Sequence, residues 1–163
     1  MMDMAHTVYL ALGTNLGDRL ANLKQAAGAL PPLVRVVAAS PVYETPPWGY
    51  VEQPAFLNQV IQAETGLAPH ALLTYLKQTE ISMGRRTTFR NGPRVIDLDI
   101  LFYDDVILNS PELTIPHPSI PERAFVLVPL ADLNPGLKHP TPGKTVRQML
   151  DGIDTRDIHP FPG

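Results

Sequence analysis

The hydrophobic period of this chain alternates between two residues and about 3.6 as far as residue 103, and that alternation restricts the folds open to it. Residues 7–12 (TVYLAL) form an apolar run of strand length. Leu16, Leu20, Leu23, Ala27 and Leu30 then share one helical stripe, stopped by Pro31 and Pro32. Residues 34–44 (VRVVAASPVYE) start β-branched and read as a strand, with Pro41 implying an edge position or a bulge. Residues 56–65 (FLNQVIQAET) read as another strand. Residues 68–84 read as a helix, with Pro69 in its first turn and Gly84 at its C-terminal cap. A strand over 95–103 closes the series.

The resulting order, β-α-β-β-α-β, is the split βαβ plan of ferredoxin-like folds. The expected class is therefore α+β, a ferredoxin-like βαββαβ core with a mostly antiparallel sheet, two helices packed on one face, and a C-terminal extension. Residues 106–110 (VILNS) are expected to return as an extra strand across a turn at 103–105. The chain has 18 prolines, well above the average of about 5%, and ten of them lie beyond residue 110, where they punctuate an extension with short helical pieces near 122–130 and 144–151. With 163 residues and no repeat or second core, a single domain over 1–163 follows.

Composition removes several function classes. There is no cysteine, hence neither a disulfide framework nor a thiolate metal site. The net charge of −3 argues against general nucleic-acid binding, which needs a basic face. No leader pattern and no run near the roughly 18 apolar residues of a membrane span is visible, so a cytoplasmic protein without a membrane partner is expected.

The strand over 95–103 carries a contradiction. Ile96, Leu98 and Ile100 point to one side, while Asp97 and Asp99 share the other, roughly 7 Å apart at about 3.3 Å rise per residue. At an effective dielectric of about 20 two such charges repel by roughly 2 kcal/mol. Either the face is solvated at a sheet edge, or a cation offsets the pair. Hard oxygen ligands suit Mg²⁺, which takes one or two carboxylates plus phosphates and waters. Just before the strand, Arg85, Arg86, Arg90 and Arg94 concentrate nearly a third of the 13 basic residues. A basic run ahead of an acidic pair fits a polyphosphate–metal site, and it also fits a solvated loop.

Other stretches carry weaker signals. Glu80 falls on the apolar stripe of Leu73, Leu76 and Met83, and if buried it needs a hydroxyl or cationic partner, such as a ribose or the nearby arginines. GTNLG (13–17) reads as a strand-to-helix turn capped near Asn15 or Asp18. In 45–60 (TPPWGYVEQPAFLNQV), two prolines and a glycine shape a loop and Trp48, Tyr50 and Phe56 supply aromatic faces. Asn58 adds an amide on the same strand face as Phe56. A flat heteroaromatic ligand needs this combination, and a core aromatic cluster would also produce it. His117 lies between two prolines, and without cysteines or a histidine pair at ligand spacing zinc is not expected.

Five segments in order, ALGTNLGD, VYETPPWG, QPAFLNQV, GRRTTFRNGPRVIDLDIL and IPHPSIPERAFVLVPL, resemble the 6-hydroxymethyl-7,8-dihydropterin pyrophosphokinase family of folate biosynthesis over nearly the whole chain. RNGPRVIDLDIL fits the family signature, in which a basic residue, Gly-Pro-Arg and Asp-x-Asp follow at fixed spacing. The resemblance implies transfer of the two terminal phosphates of ATP to the pterin hydroxymethyl oxygen, with release of AMP. It implies that Asp97 and Asp99 hold two Mg²⁺ and that Arg85 and Arg94 contact the phosphates. Glu80, Ile100, Thr114, His117 and Arg123 would then be nucleotide-side positions. Thr45, Pro46, Pro47, Trp48 and Asn58 would be pterin partners, with Phe56 and Phe125 as the sandwiching rings. Thr87 and Asn91 stand where many members carry arginine and tryptophan. A monomer is expected. A nucleotidyl transferase, which would release pyrophosphate instead of AMP, and a non-catalytic ligand- or RNA-binding module remain the alternatives.

Overall fold

The computed structural model describes residues 4–47, 52–84, 95–141 and 143–162. Trp48, Tyr50, Arg85, Arg86, Thr87, Arg90, Asn91 and Arg94 lie outside the described residues.

The helices and long strands follow the periodicity. β1 (His6–Thr14) is central, flanked by β4 (Phe56–Thr65) and β5 (Asp97–Tyr103), and both pairings are antiparallel. β2 (Val34–Ala39) and β3 (Tyr43–Thr45) both pair with β4, and β8 (His159–Pro160) adds to the outer side of β3. The sheet order is β5-β1-β4-β3-β8, with β2 also on β4.

α1 (Arg19–Gly28) and α2 (Pro69–Ser82) cover one face. Leu23, Ala26, Leu72 and Leu76 pack there on Val8, Leu10, Leu12 and Leu98. Each fully buried leucine contributes roughly 1.5–3 kcal/mol of transfer free energy. Asp18 is the N-cap of α1, its carboxylate accepting from Ala21 N at 3.1 Å. Pro69 opens α2, and Gly84 lies just past its end with φ +89°. The opposite face is covered in part by α3 (Ala124–Leu133) and α4 (Val146–Asp151), whose Val126, Leu127, Leu130 and Val146 pack on Tyr9, Val60, Leu101 and Phe102.

Three local features differ from expectation. Residues 34–44 are two strands: Ser40 N donates to Val60 O at 2.9 Å and Ser40 Oγ accepts from Val60 N at 3.0 Å, so a side chain replaces a ladder partner at the break. β6 (Leu108–Asn109) pairs with β7 (Thr114–Ile115) in a separate hairpin and does not return along β5. The turn after β5, held by Val106 N to Tyr103 O at 3.0 Å, leads the chain away from that edge. Finally, a bulge shifts the register between Tyr9↔Phe102 and Leu10↔Ile100, leaving Leu101 as the extra residue. Leu101 and Phe102 therefore join the same cluster, while Tyr103 turns to the α1–α2 face.

Candidate active site

Where α3 stops covering the second face, β1, β4 and β5 expose a floor. Gly13 is in register with Asn58 on one side and Asp97 on the other, and Ala11 lies between Val60 and Asp99. At about 4.8 Å per strand, the amide and the carboxylates sit roughly 10 Å apart on one surface. The absence of a side chain at 13 matters: a Cβ there would lie 3.3 Å from Asn58 Oδ1. Above this floor is a cavity of ≈ 310 Å³.

At the β5 end, Asp97 and Asp99 both face the cavity. Burial, then the Asp97 charge, pushes the Asp99 carboxyl up to about 7; Glu80 adds to the shift, while the Lys77 and Arg123 cations oppose it. Glu80 is only 2% exposed. Its Oε2 accepts from Leu98 N at 2.7 Å, and Lys77 Nζ stands 3.4 Å from Oε1. Since β5 is the sheet edge, this carboxylate caps a backbone N–H that lies between the two aspartates. Burial, followed by the Arg123 charge, pulls His117 down to about 4. Its Nδ1 accepts from Ser119 N at 3.2 Å, so the neutral ring carries its proton on Nε2 and presents a donor.

The other end is amide and aromatic. Asn58 Nδ2 donates to Thr45 Oγ1 at 2.7 Å, and both residues are buried. This bond fixes the amide plane and leaves Oδ1 and one N–H for a ligand. Phe56, Pro46 and Phe125 complete that end, with the Arg123 guanidinium 5.5 Å from the Phe125 ring centroid.

A second cavity of ≈ 250 Å³ adjoins the first, and Lys77, Asp99 and His117 line both. Ile100 and Thr114 line this second space. The structure thus gathers Thr45, Pro46, Phe56, Asn58, Asp97, Asp99, His117, Arg123 and Phe125 around the first cavity. Pro47 and Glu80 line neither, and Trp48, Arg85 and Arg94 lie outside the described residues. Lys77 and Gly13 were not singled out from the sequence. A cation three positions before Glu80 on a helix is the signal that could have found Lys77.

No group of three or more His, Cys, Asp or Glu able to hold an ion occurs among the described residues. Two carboxylates on one strand face fit a hard cation that completes its shell with phosphate and water, which is the habit of Mg²⁺.

A model of the 7,8-dihydro-6-hydroxymethylpterin-pyrophosphokinase (HPPK) family matches residues 9–135. The chain belongs to this family. It resembles the 2-amino-4-hydroxy-6-hydroxymethyldihydropteridine pyrophosphokinase of Methylorubrum extorquens, 45% identical over 152 residues, covering 92% of this chain and 95% of that protein. It is 44% identical over 156 residues to the folic acid synthesis protein FOL1 of Dictyostelium discoideum, covering 95% of this chain. The chain spans only 24% of that protein's length. Among solved structures, the HPPK-DHPS of Plasmodium falciparum, with pterin and p-hydroxybenzoate, superposes with a TM-score of 0.75 at 18% identity, covering 93% of this chain and 42% of that one. No helix among the described residues is long and apolar enough to cross a membrane.

Proposed function

We propose that this pyrophosphokinase transfers the β,γ-diphosphate of ATP to 6-hydroxymethyl-7,8-dihydropterin, with Mg²⁺, in the cytoplasm and as a monomeric single domain over 1–163. The observation that carries this reading is the register across Gly13, which sets a carboxylate pair and a fixed amide side by side on one floor. The order β5-β1-β4-β2 with antiparallel neighbours supports a ferredoxin-like core, to which α3, α4 and β8 are the extension.

The substrate hydroxyl oxygen forms a bond to the β-phosphorus while the α–β bridging bond breaks. AMP leaves with the bridging oxygen, and the hydroxyl proton passes to water. In this reading Asp97 and Asp99 hold two Mg²⁺, which supply charge neutralisation of the phosphate oxygens when bound. Phe56 and Phe125 sandwich the pterin, while Asn58, Thr45, Pro46, Pro47 and Trp48 match its polar edge. The Asn58–Thr45 bond orients that edge before the ligand arrives. Arg123, whose charge acts on both Asp99 and His117, and the neutral His117 donor are assigned to the phosphate and nucleotide side, with Thr114 and Ile100 assigned to the nucleoside and Glu80 holding β5 behind it. Arg85 and Arg94 are assigned to the phosphates on the sequence signature alone. Catalysis is then positioning and charge stabilisation, with no side chain required as a base.

Incubation with ATP, Mg²⁺ and the hydroxymethyl-dihydropterin tests this. The expected nucleotide product is AMP, with no free pyrophosphate. Pyrophosphate release with transfer of the AMP part would place the chain among nucleotidyl transferases and overturn the reading.

A further inference from the structure

The family match ends at residue 135, yet a later segment reaches the amide end of the site. β3, which delivers Thr45, is a strand of three residues and would be the bare edge of the sheet beyond β4. β8 covers that edge: Tyr43 pairs with Pro160, Glu44 with His159, and Phe161 N donates to Val42 O at 2.8 Å. Phe161 then packs, partly buried, against the α1–α2 core.

Arg19, at the start of α1, ties this tail to both arms of the amide end. Its Nη1 is 2.7 Å from Glu44 Oε2, next to Thr45, and donates to Ala55 O at 3.0 Å, next to Phe56. Its guanidinium stands 5.4 Å from the Phe161 ring centroid. One cation thus pins residues 44 and 55, the two stems of the 45–56 segment, while resting on the C-terminal ring. Arg19, Glu44 and Phe161 do not line either cavity, so any effect on a ligand must pass through Thr45 and Phe56. A planar guanidinium suits this task because its donors lie in one plane and its face remains open for stacking.

We infer that β8 and Phe161, acting through Arg19, are positioning elements for the pterin end of the site, so that a segment outside the family match tunes pterin affinity. This rests on the function proposed above. Without the tail, β3 keeps its bonds to β4, the Tyr43–Asp132 hydrogen bond and the Arg19–Glu44 ion pair, but its outer edge is bare, the Arg19 guanidinium loses the ring it rests on, and the Thr45 hydroxyl that orients Asn58 loses lateral support. A recognition amide must be held to a few tenths of an ångström, so slack at Thr45 reaches the pterin directly.

The test is calorimetry on the full chain. Pterin binding is measured with a non-hydrolysable ATP analogue and Mg²⁺ present, and analogue binding is measured alone, with folding checked by thermal melts. Arg19→Ala and Phe161→Ala are expected to weaken pterin binding on the order of tenfold, the scale of losing one supporting contact, and to leave the analogue unchanged. Phe161→Leu, which keeps the apolar packing, is expected to fall between wild type and Phe161→Ala. Should Phe161→Ala fail to fold, Arg19→Ala carries the same measurement. Unchanged pterin affinity in a folded variant, or equal weakening of both ligands, overturns the inference. A wild-type chain that binds no pterin overturns the proposed function instead.

Discussion

The two ends of the cavity share a floor and are prepared in opposite ways. At the amide end the side chains are bonded to one another: Asn58 to Thr45, and Glu44 beside them to Arg19. That end is preorganised, and a ligand finds its shape waiting. At the acid end the two aspartates repel, and burial together with that repulsion holds Asp99 up to about 7. Its nearby cations, Lys77 and Arg123, reduce the penalty without cancelling it. The amide end is built to be rigid, while the acid end is built to be completed by what binds there. On the function proposed above, affinity on one side would come from saved ordering entropy, and on the other from relieved charge.

The strongest way to break the comparison is to empty the acid end. Asp97→Ala or Asp99→Ala is expected to lower turnover by about a thousandfold or more, the scale of several kcal/mol of lost charge stabilisation. The fold should survive, because both carboxylates face the cavity. AMP production and a thermal melt on the same samples check both halves. Turnover near wild type in either variant would show that the pair is surface decoration.

The next largest effect belongs to the amide end. Asn58→Ala removes the donor–acceptor edge and strands the Thr45 hydroxyl, which should weaken pterin binding by roughly 10- to 100-fold, the scale of an unmet buried hydrogen-bonding group. Affinity for an ATP analogue, measured in the same titration series, should stay as it was. If the analogue weakens as much as the pterin, the two ends are one coupled unit and the contrast drawn between them fails.

Much of this arrangement is legible in the sequence, for reasons that differ by residue. The long elements are visible because each must bury one face, and the period records it from Val8 to Leu12 and from Leu72 to Leu76. The aspartate pair is visible because two charges inside an apolar strand demand a reason. Gly13 is hidden, since a floor made by a missing side chain leaves no mark in a pattern. The bulge at Leu101 is hidden too, because Ile100, Leu101 and Phe102 are all apolar and alternation cannot say which one is extra. Pairings of two residues, such as Leu108 with Ile115 or Glu44 with His159, are set by tertiary contacts rather than local propensity. Glu80 reads as an anomaly on an apolar stripe, and only the fold reveals that its partner is the Leu98 backbone.

The smallest expected effect sharpens the comparison most, because it reads the unrelieved charge directly in the protein without metal. Asp99 titrates near 7 when folded, against an ordinary 3.8. Between those values the folded state holds a proton that the unfolded state has lost, so the Asp99 contribution to stability falls as pH rises from about 4 to about 7. His117 works against it: lowered from 6.5 to about 4, it binds its proton more readily when unfolded, and its contribution rises with pH between about 4 and 6.5. The two slopes oppose one another in wild type over that span. In Asp99→Asn the falling component is gone, so melting temperature should climb with pH up to about 6.5 and the variant should exceed wild type at pH 8 without Mg²⁺. Wild type and variant tracking one another from pH 4 to 8 would mean that Asp99 carries no stored repulsion, and the acid end would then be as settled as the amide end.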